Sequence, residues 1–109
     1  MKVPSFEFTV TDFEQLAPDI TAGQTGVCIS KTFYRDQIRI RLVMYSANYL
    51  ADHWCQKGHV IYCLQGSMET ELRDGRKFNL KNGMVYTVGD NAEEHRSFSK
   101  QGCTLFIVD

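Results

Sequence analysis

Two of the chain's three histidines and one of its four cysteines fall in one octapeptide, DHWCQKGH, residues 52–59. Imidazole nitrogen and thiolate sulfur are common protein ligands for borderline divalent metals, so this concentration is what a metal site needs. A turn whose histidines and cysteine only pack and hydrogen-bond would contain the same residues. His53 and Cys55 are two apart, and on extended backbone that spacing sends both side chains to one side. Gly58 permits a sharp bend. His59 then opens the strand-like run HVIYCLQG, in which His59, Ile61 and Cys63 share a face. A hairpin there brings His59 back beside His53 and Cys55. The third histidine, His95, follows the turn-rich GDNAEE, again where a strand resumes. Asp52, Glu93 and Glu94 are nearby acceptors for ring nitrogens that a metal leaves free. HxCxxxH is not a structural-zinc spacing, so these residues alone leave both readings open.

The elements that must position them read as strands. FEFTV, 6–10, alternates apolar and polar residues, as a half-buried strand does. DFEQLA carries a short helix signal capped by Asp12, and the residues from there to Gly26 read as loop. VCISKTFY, QIRIRLVMY, HVIYCLQG, METELR, KFNL, MVYTV and CTLFIVD follow, with turn signals at Asp74-Gly75 and Asn82-Gly83. Short strands at this spacing, without a long amphipathic helix, predict an antiparallel sandwich or barrel. In IRIRLVMY, Ile38, Ile40, Leu42 and Met44 take one face and Arg39, Arg41, Val43 and Tyr45 the other. One reading places both arginines in solvent; the other places one in a polar cavity, ready for an anionic group. Cys63 and Cys103 read as small core hydrophobes. Trp54 alternates away from His53 and Cys55, towards packing or towards a substrate.

At 109 residues the chain is one domain, residues 1–109. Its composition, 43% hydrophobic and 23% charged, is that of an ordinary globular protein. Twelve Lys and Arg against thirteen Asp and Glu give no basic field for nucleic acid. No run approaches the roughly 18 apolar residues of a membrane span. MKVPSFEF lacks the apolar centre of a signal peptide, so a cytoplasmic location is expected. There the four cysteines serve as thiols or ligands and not as a disulfide framework.

The run from His53 resembles the first motif of the cupin superfamily, and more closely the small bacterial cupin-fold proteins marked by an Asp-His-Trp/Cys cluster. That motif has two histidines separated by one residue, then an acid, then a glycine. Here His53-Trp54-Cys55 is followed by GlnLysGly, His59, and six residues to Gly66. Cys55 stands where the second histidine is usual, and His59 where glutamate is usual. The second motif is matched by Gly83, five residues to Gly89, Asn91 in the turn, and His95 one residue later than the common spacing, without the turn proline. The resemblance runs from about Arg39 to Val108. It implies an all-β, single-domain cupin-type antiparallel β-barrel, a jelly roll. It also implies a divalent metal, Zn, Fe, Ni or Mn, on His53, Cys55, His59 and His95.

Three functions follow as expectations. One is a small metal-binding barrel that holds a small polar ligand. Another is a metal-dependent dioxygenase or isomerase of a small organic acid or sugar, with Tyr45, Tyr49, Tyr62, Tyr86 and Arg96 near the pocket mouth. The third is a metal-free structural barrel. Barrel edges need cover, which the segment FEFTV would supply, so a homodimer is expected.

Overall fold

The apolar runs become antiparallel strands in the computed structural model, which describes residues 2–109. They are β1 (Asp19–Ala22), β2 (Val27–Arg35), β3 (Ile38–Tyr45), β4 (Tyr49–Leu50), β5 (His59–Leu72), β6 (Lys77–Lys81), β7 (Val85–Val88), β8 (His95–Ser99) and β9 (Cys103–Val108). Their order is β1-β2-β3-β9-β5-β8-β4, with β6 and β7 also paired to β5. Among the described residues the single helical turn is 3-10, Phe13–Gln15, capped by Asp12, whose carboxylate accepts from the Glu14 amide. No helix of the described residues is long and apolar enough to cross a membrane.

HVIYCLQG and METELR, expected as two strands, are one. β5 runs for 14 residues and bends without breaking. Its first half pairs with β7 and β9, its second with β6 and β8. The bend falls at a register shift between Cys63 and Gln65, next to Gly66 at φ +80°. One strand thus serves both walls, and this curls the sheet into a jelly roll. The core lies inside the curl. It contains Val43, Ile61, Cys63, Met68, Leu80, Cys103, Leu105 and Ile107.

Two expectations are corrected. Phe6–Val10 is in no strand: Phe8 and Val10 are exposed, and the edge that β2 offers is taken by Asp19–Ala22, which reads as loop. Nor do Arg39 and Arg41 lie in solvent. Val43 is buried and Tyr45 packs on the core, so their face of β3 is the inner one, and both arginines reach Asp109 inside. Ile40, Leu42 and Met44 therefore face outwards. On that side the cross-strand row Leu42, Phe106, Tyr62, Val85 is apolar, and Phe13 covers only its corner, 5.6 Å from Phe33 and 6.4 Å from Phe106.

The bend in β5 leaves no room for a side chain. A Cβ on Gly66 would sit 2.5 Å from the Gly102 carbonyl oxygen and 3.0 Å from the Cys103 Cα, both backbone. Gly75 also has positive φ, but nothing lies within 4 Å of its Cβ position. Gly66→Ala is therefore expected to cost about 3 kcal/mol or more and Gly75→Ala about 1 kcal/mol in urea denaturation, since only the first adds overlap to backbone strain. Equal costs would show that the bend is not close-packed.

Candidate metal centre

Cys55 and His95 are brought together by backbone. The Cys55 amide donates to the His95 carbonyl at 2.8 Å and the His95 amide to the Cys55 carbonyl at 3.0 Å. This is a hydrogen-bonded antiparallel pair outside the longer ladders, and opposed residues in such a pair project to the same side. His59 comes from another direction, as the first residue of β5. Gly58 before it is held by the Asp90 carboxylate, which accepts its amide at 2.7 Å. The three side chains converge, with their ligand atoms within 4.8 Å of one another. His59 is 9% exposed and His95 3%.

The tautomers of both rings follow from their outer partners. The His95 Nδ1 lies 2.8 Å from the Glu93 carbonyl oxygen, which can only accept. Nδ1 therefore carries the proton, and Nε2 is a bare lone pair. That Nε2 is buried with no hydrogen-bond partner. Burial, aided by the neighbouring His59, holds the His95 pKa below its ordinary value against the pull of the Glu93 carbonyl, so the ring stays neutral. The His59 Nδ1 lies 2.8 Å from the Asp109 Oδ2. Burial pushes the Asp109 carboxyl up, but hydrogen bonds from Arg39 and His59 and the charges of Arg41 and Arg39 outweigh it and hold it well below the usual carboxylate range. The ionised carboxylate accepts from Nδ1, which leaves the His59 Nε2 as acceptor for the Cys55 thiol, 3.3 Å away.

Two aimed imidazole lone pairs and one thiol therefore share a buried space. An orphaned buried acceptor normally costs free energy, and a cation is the natural partner for it. With bonds of about 2.0–2.3 Å, a divalent ion needs only small side-chain shifts to reach all three. The donor set fits a metal, and Asp109 and the Glu93 carbonyl are the outer partners such a site requires.

His53 is not part of this cluster. Its side chain is 75% exposed, and its Nδ1 lies 2.6 Å from the Asp52 Oδ1. Residues 52 and 53 form a bend, so the two-residue parity with Cys55 does not hold there. Of the expected outer acceptors, Asp52 serves His53 alone, Glu93 acts through its carbonyl, and the Glu94 carboxylate engages Gln56 and Arg73. Asp109 was not among the expected residues. Its signal was present: it continues the inward parity of Cys103, Leu105 and Ile107.

Further polar groups lie at the same end of the interior. The Tyr86 and Thr70 hydroxyls are buried beside each other, the Arg41 Nε is buried without a partner, and the Tyr86 ring is 6.2 Å from His95. Of the other residues expected at a pocket mouth, Tyr45 and Tyr49 stack at 4.1 Å, Tyr62 lies on the outer face, and Arg96 stacks on Trp54. On the far side of the His59–Asp109 pair lies a cavity of about 630 Å³, lined by Asp36, Lys57, Val88 and Asp90 besides those two residues. Cys55 and His95 do not reach it.

No protein-family model and no curated protein matches the chain. Solved structures do. An RmlC-like cupin from Shewanella frigidimarina superposes with a TM-score of 0.75 at 16% identity, covering 94% of this chain and 89% of that one. Ectoine synthase from P. lautus gives 0.74 at 18% identity, covering 93% and 76%. A sugar phosphate isomerase of the cupin superfamily from Silicibacter pomeroyi gives 0.70 at 10% identity, covering 92% and 74%. The chain has the cupin-type fold, as its two motif-like runs implied.

Asp109 holds the centre in place. Its side chain is fully buried, with Arg39 Nε at 2.8 Å, Arg41 at 3.1 Å and His59 at 2.8 Å. Asp109→Asn removes the charge but keeps the shape. It is expected to cost about 3 kcal/mol in chemical denaturation, because two half-buried guanidinium groups lose their counter-ion. A loss below about 0.5 kcal/mol would show that the cluster is solvated and the carboxylate dispensable.

Proposed function

We propose that this chain is a small metal-binding protein that holds one divalent cation on Cys55, His59 and His95 and takes a small polar ligand beside it. The observation that carries this reading is the His95 Nε2, a deprotonated lone pair buried without a partner and aimed at a second imidazole and a thiol. Two neutral imidazoles and one thiolate suit zinc or iron, with nickel and manganese less favoured by the sulfur. A bound cation would supply Lewis acidity. The chain's own residues do the rest. Asp109 and the Glu93 carbonyl keep the protons on the outer nitrogens of His59 and His95, and burial excludes water from their inner ones. The ligand's place is the cavity of about 630 Å³ that shares His59 and Asp109 with the cluster. That volume is in the range of small-molecule sites.

A second reading makes the protein an enzyme, a metal-dependent isomerase or dioxygenase of a small organic acid or sugar. The buried Tyr86 and Thr70 hydroxyls favour it, since they lie at the same end of the interior as the cluster. Structural neighbours that include a sugar phosphate isomerase and ectoine synthase share the scaffold on which such chemistry is mounted, and at these identities no more than that. A cytoplasmic setting suits either reading, because the Cys55 thiol must stay reduced.

Zinc competition titration of the parent and four variants tests the first reading. His59→Ala and His95→Ala are expected to weaken binding by about 100-fold or more and Cys55→Ser by about tenfold, while His53→Ala stays within about threefold. A parent that takes up no zinc, iron, nickel or manganese would overturn the reading. A loss in His53→Ala as large as in His59→Ala would return His53 to the ligand set.

The assembly we propose is a homodimer meeting across the outer sheet face. There Met44, Tyr62, Leu64 and Val85 are 36%, 39%, 43% and 54% exposed, more apolar surface than the solvent side of an antiparallel sheet normally shows. Light scattering is expected to give twice the chain mass at micromolar concentration, and Tyr62→Glu to give the monomer. A monomeric parent would contradict this.

A further inference from the structure

The three ligand atoms have unequal mounts. His59 opens β5, which is paired on both sides, and His95 opens β8. Cys55 belongs to no strand. It lies in the segment between β4 and β5, whose backbone meets the rest of the fold through the Ala51 amide on the Ser97 carbonyl at 3.0 Å, the two hydrogen bonds of the Cys55–His95 pair, the Asn91 amide on the Gln56 carbonyl at 2.8 Å and the Gly58 amide on the Asp90 carboxylate at 2.7 Å. These contacts fix the backbone of Cys55, and the pitch of its side chain follows from what holds its neighbours.

That hold is on the opposite face. Trp54 precedes Cys55 and points the other way, out of the interior. Two guanidinium groups lie over its ring, Arg73 at 4.7 Å and Arg96 at 4.6 Å from the centroid. Arg96 directly follows His95, so the ligand pair on the inside of this short ladder is matched by a cation–indole pair on the outside. Both cations are fixed from behind. Arg96 donates to the Glu71 carboxylate at 2.9 Å, and its Nε is buried with no partner but the indole beside it. Arg73 is paired with Glu94 at 3.6 Å, and its amide donates to the Glu94 carbonyl at 3.0 Å. An indole stacked by two cations cannot slide without losing both contacts.

We propose that Trp54, held by Arg73 and Arg96 against its ring, is the positioning residue that holds the Cys55 sulfur against His59 and His95, so that the thiol arm of the metal centre closes as a latch over two fixed imidazoles. This rests on the metal-binding reading above. Trp54 touches no metal in this account. It acts through the one peptide that joins it to Cys55. Opening the latch leaves a site of two imidazoles, which binds a cation weakly and exchanges it fast.

Cobalt(II) is the probe, because a cobalt–thiolate bond gives a near-ultraviolet charge-transfer band that cobalt–imidazole bonds do not. The purified full chain is loaded with cobalt as parent, Trp54→Leu, Trp54→Phe, Arg73→Gln with Arg96→Gln, and Cys55→Ser. The parent is expected to show the band and Cys55→Ser to lack it. Trp54→Leu should lose at least half of its intensity and release cobalt to a chelator about tenfold faster. Trp54→Phe, which keeps an aromatic face for the cations, should recover most of both. The double arginine variant leaves the indole in place and should follow Trp54→Leu, which keeps the test decisive if that variant fails to fold by circular dichroism. Parent-like band and release rate in a folded Trp54→Leu or in the double arginine variant would overturn the latch. Failure of the parent to show any thiolate band would instead overturn the ligation by Cys55 on which the latch depends.

Discussion

A carboxylate with no exposed side-chain surface governs the site end of this fold. Asp109 cannot be ionised there alone, since an unpaired buried charge costs several kcal/mol. It is ionised because Arg39, Arg41 and the His59 Nδ1 surround it within 3.1 Å. The consequences spread along the chain. Both arginines must face inwards, so β3 turns Ile40, Leu42 and Met44 outwards and the outer face of the sheet becomes apolar. The His59 ring must donate at Nδ1, so its Nε2 faces Cys55 as an acceptor. The inner lone pair that makes the centre fit a cation is thus set by a residue that never touches it.

The same logic operates at His95 with a weaker partner, a carbonyl in place of a carboxylate. Between them the two rings show why the centre stays neutral and open to a metal. Each imidazole is fixed by a hydrogen bond on its far side, and at His95 burial opposes protonation on the near side. A solvated pair of histidines would gain nothing from a cation that water could not supply. A buried pair in which the His95 Nε2 has no partner does.

Strand parity was legible in the sequence wherever one face was plainly apolar and the other plainly polar. β9 shows this: Cys103, Leu105 and Ile107 are inward as the alternation requires, and Asp109 follows from the same parity. IRIRLVMY was ambiguous for a physical reason. Its apolar residues sit on the outer face and its arginines on the inner one, an inversion that only the partner of those arginines explains. The convergence of Cys55, His59 and His95 was legible from residue type and from the motif-like spacing. The place of His53 was not, because two-residue parity holds on extended backbone and residues 52 and 53 bend. Phe6–Val10 has the alternation of a strand but joins none, since pairing depends on what else in the chain competes, and Asp19–Ala22 takes the edge of β2. Trp54 was legible as facing away from the ligands; its two arginine partners lie on other strands and turns, beyond what local pattern reaches.

If Cys55, His59 and His95 share a cation, sulfur and imidazole of one chain meet on one ion. X-ray absorption at the zinc edge of the zinc-loaded protein tests it most directly. One sulfur scatterer is expected at about 2.3 Å, together with nitrogen scatterers at about 2.0–2.1 Å whose outer-shell pattern is that of imidazole. A first shell of light atoms alone, with no sulfur and no imidazole pattern, would contradict it.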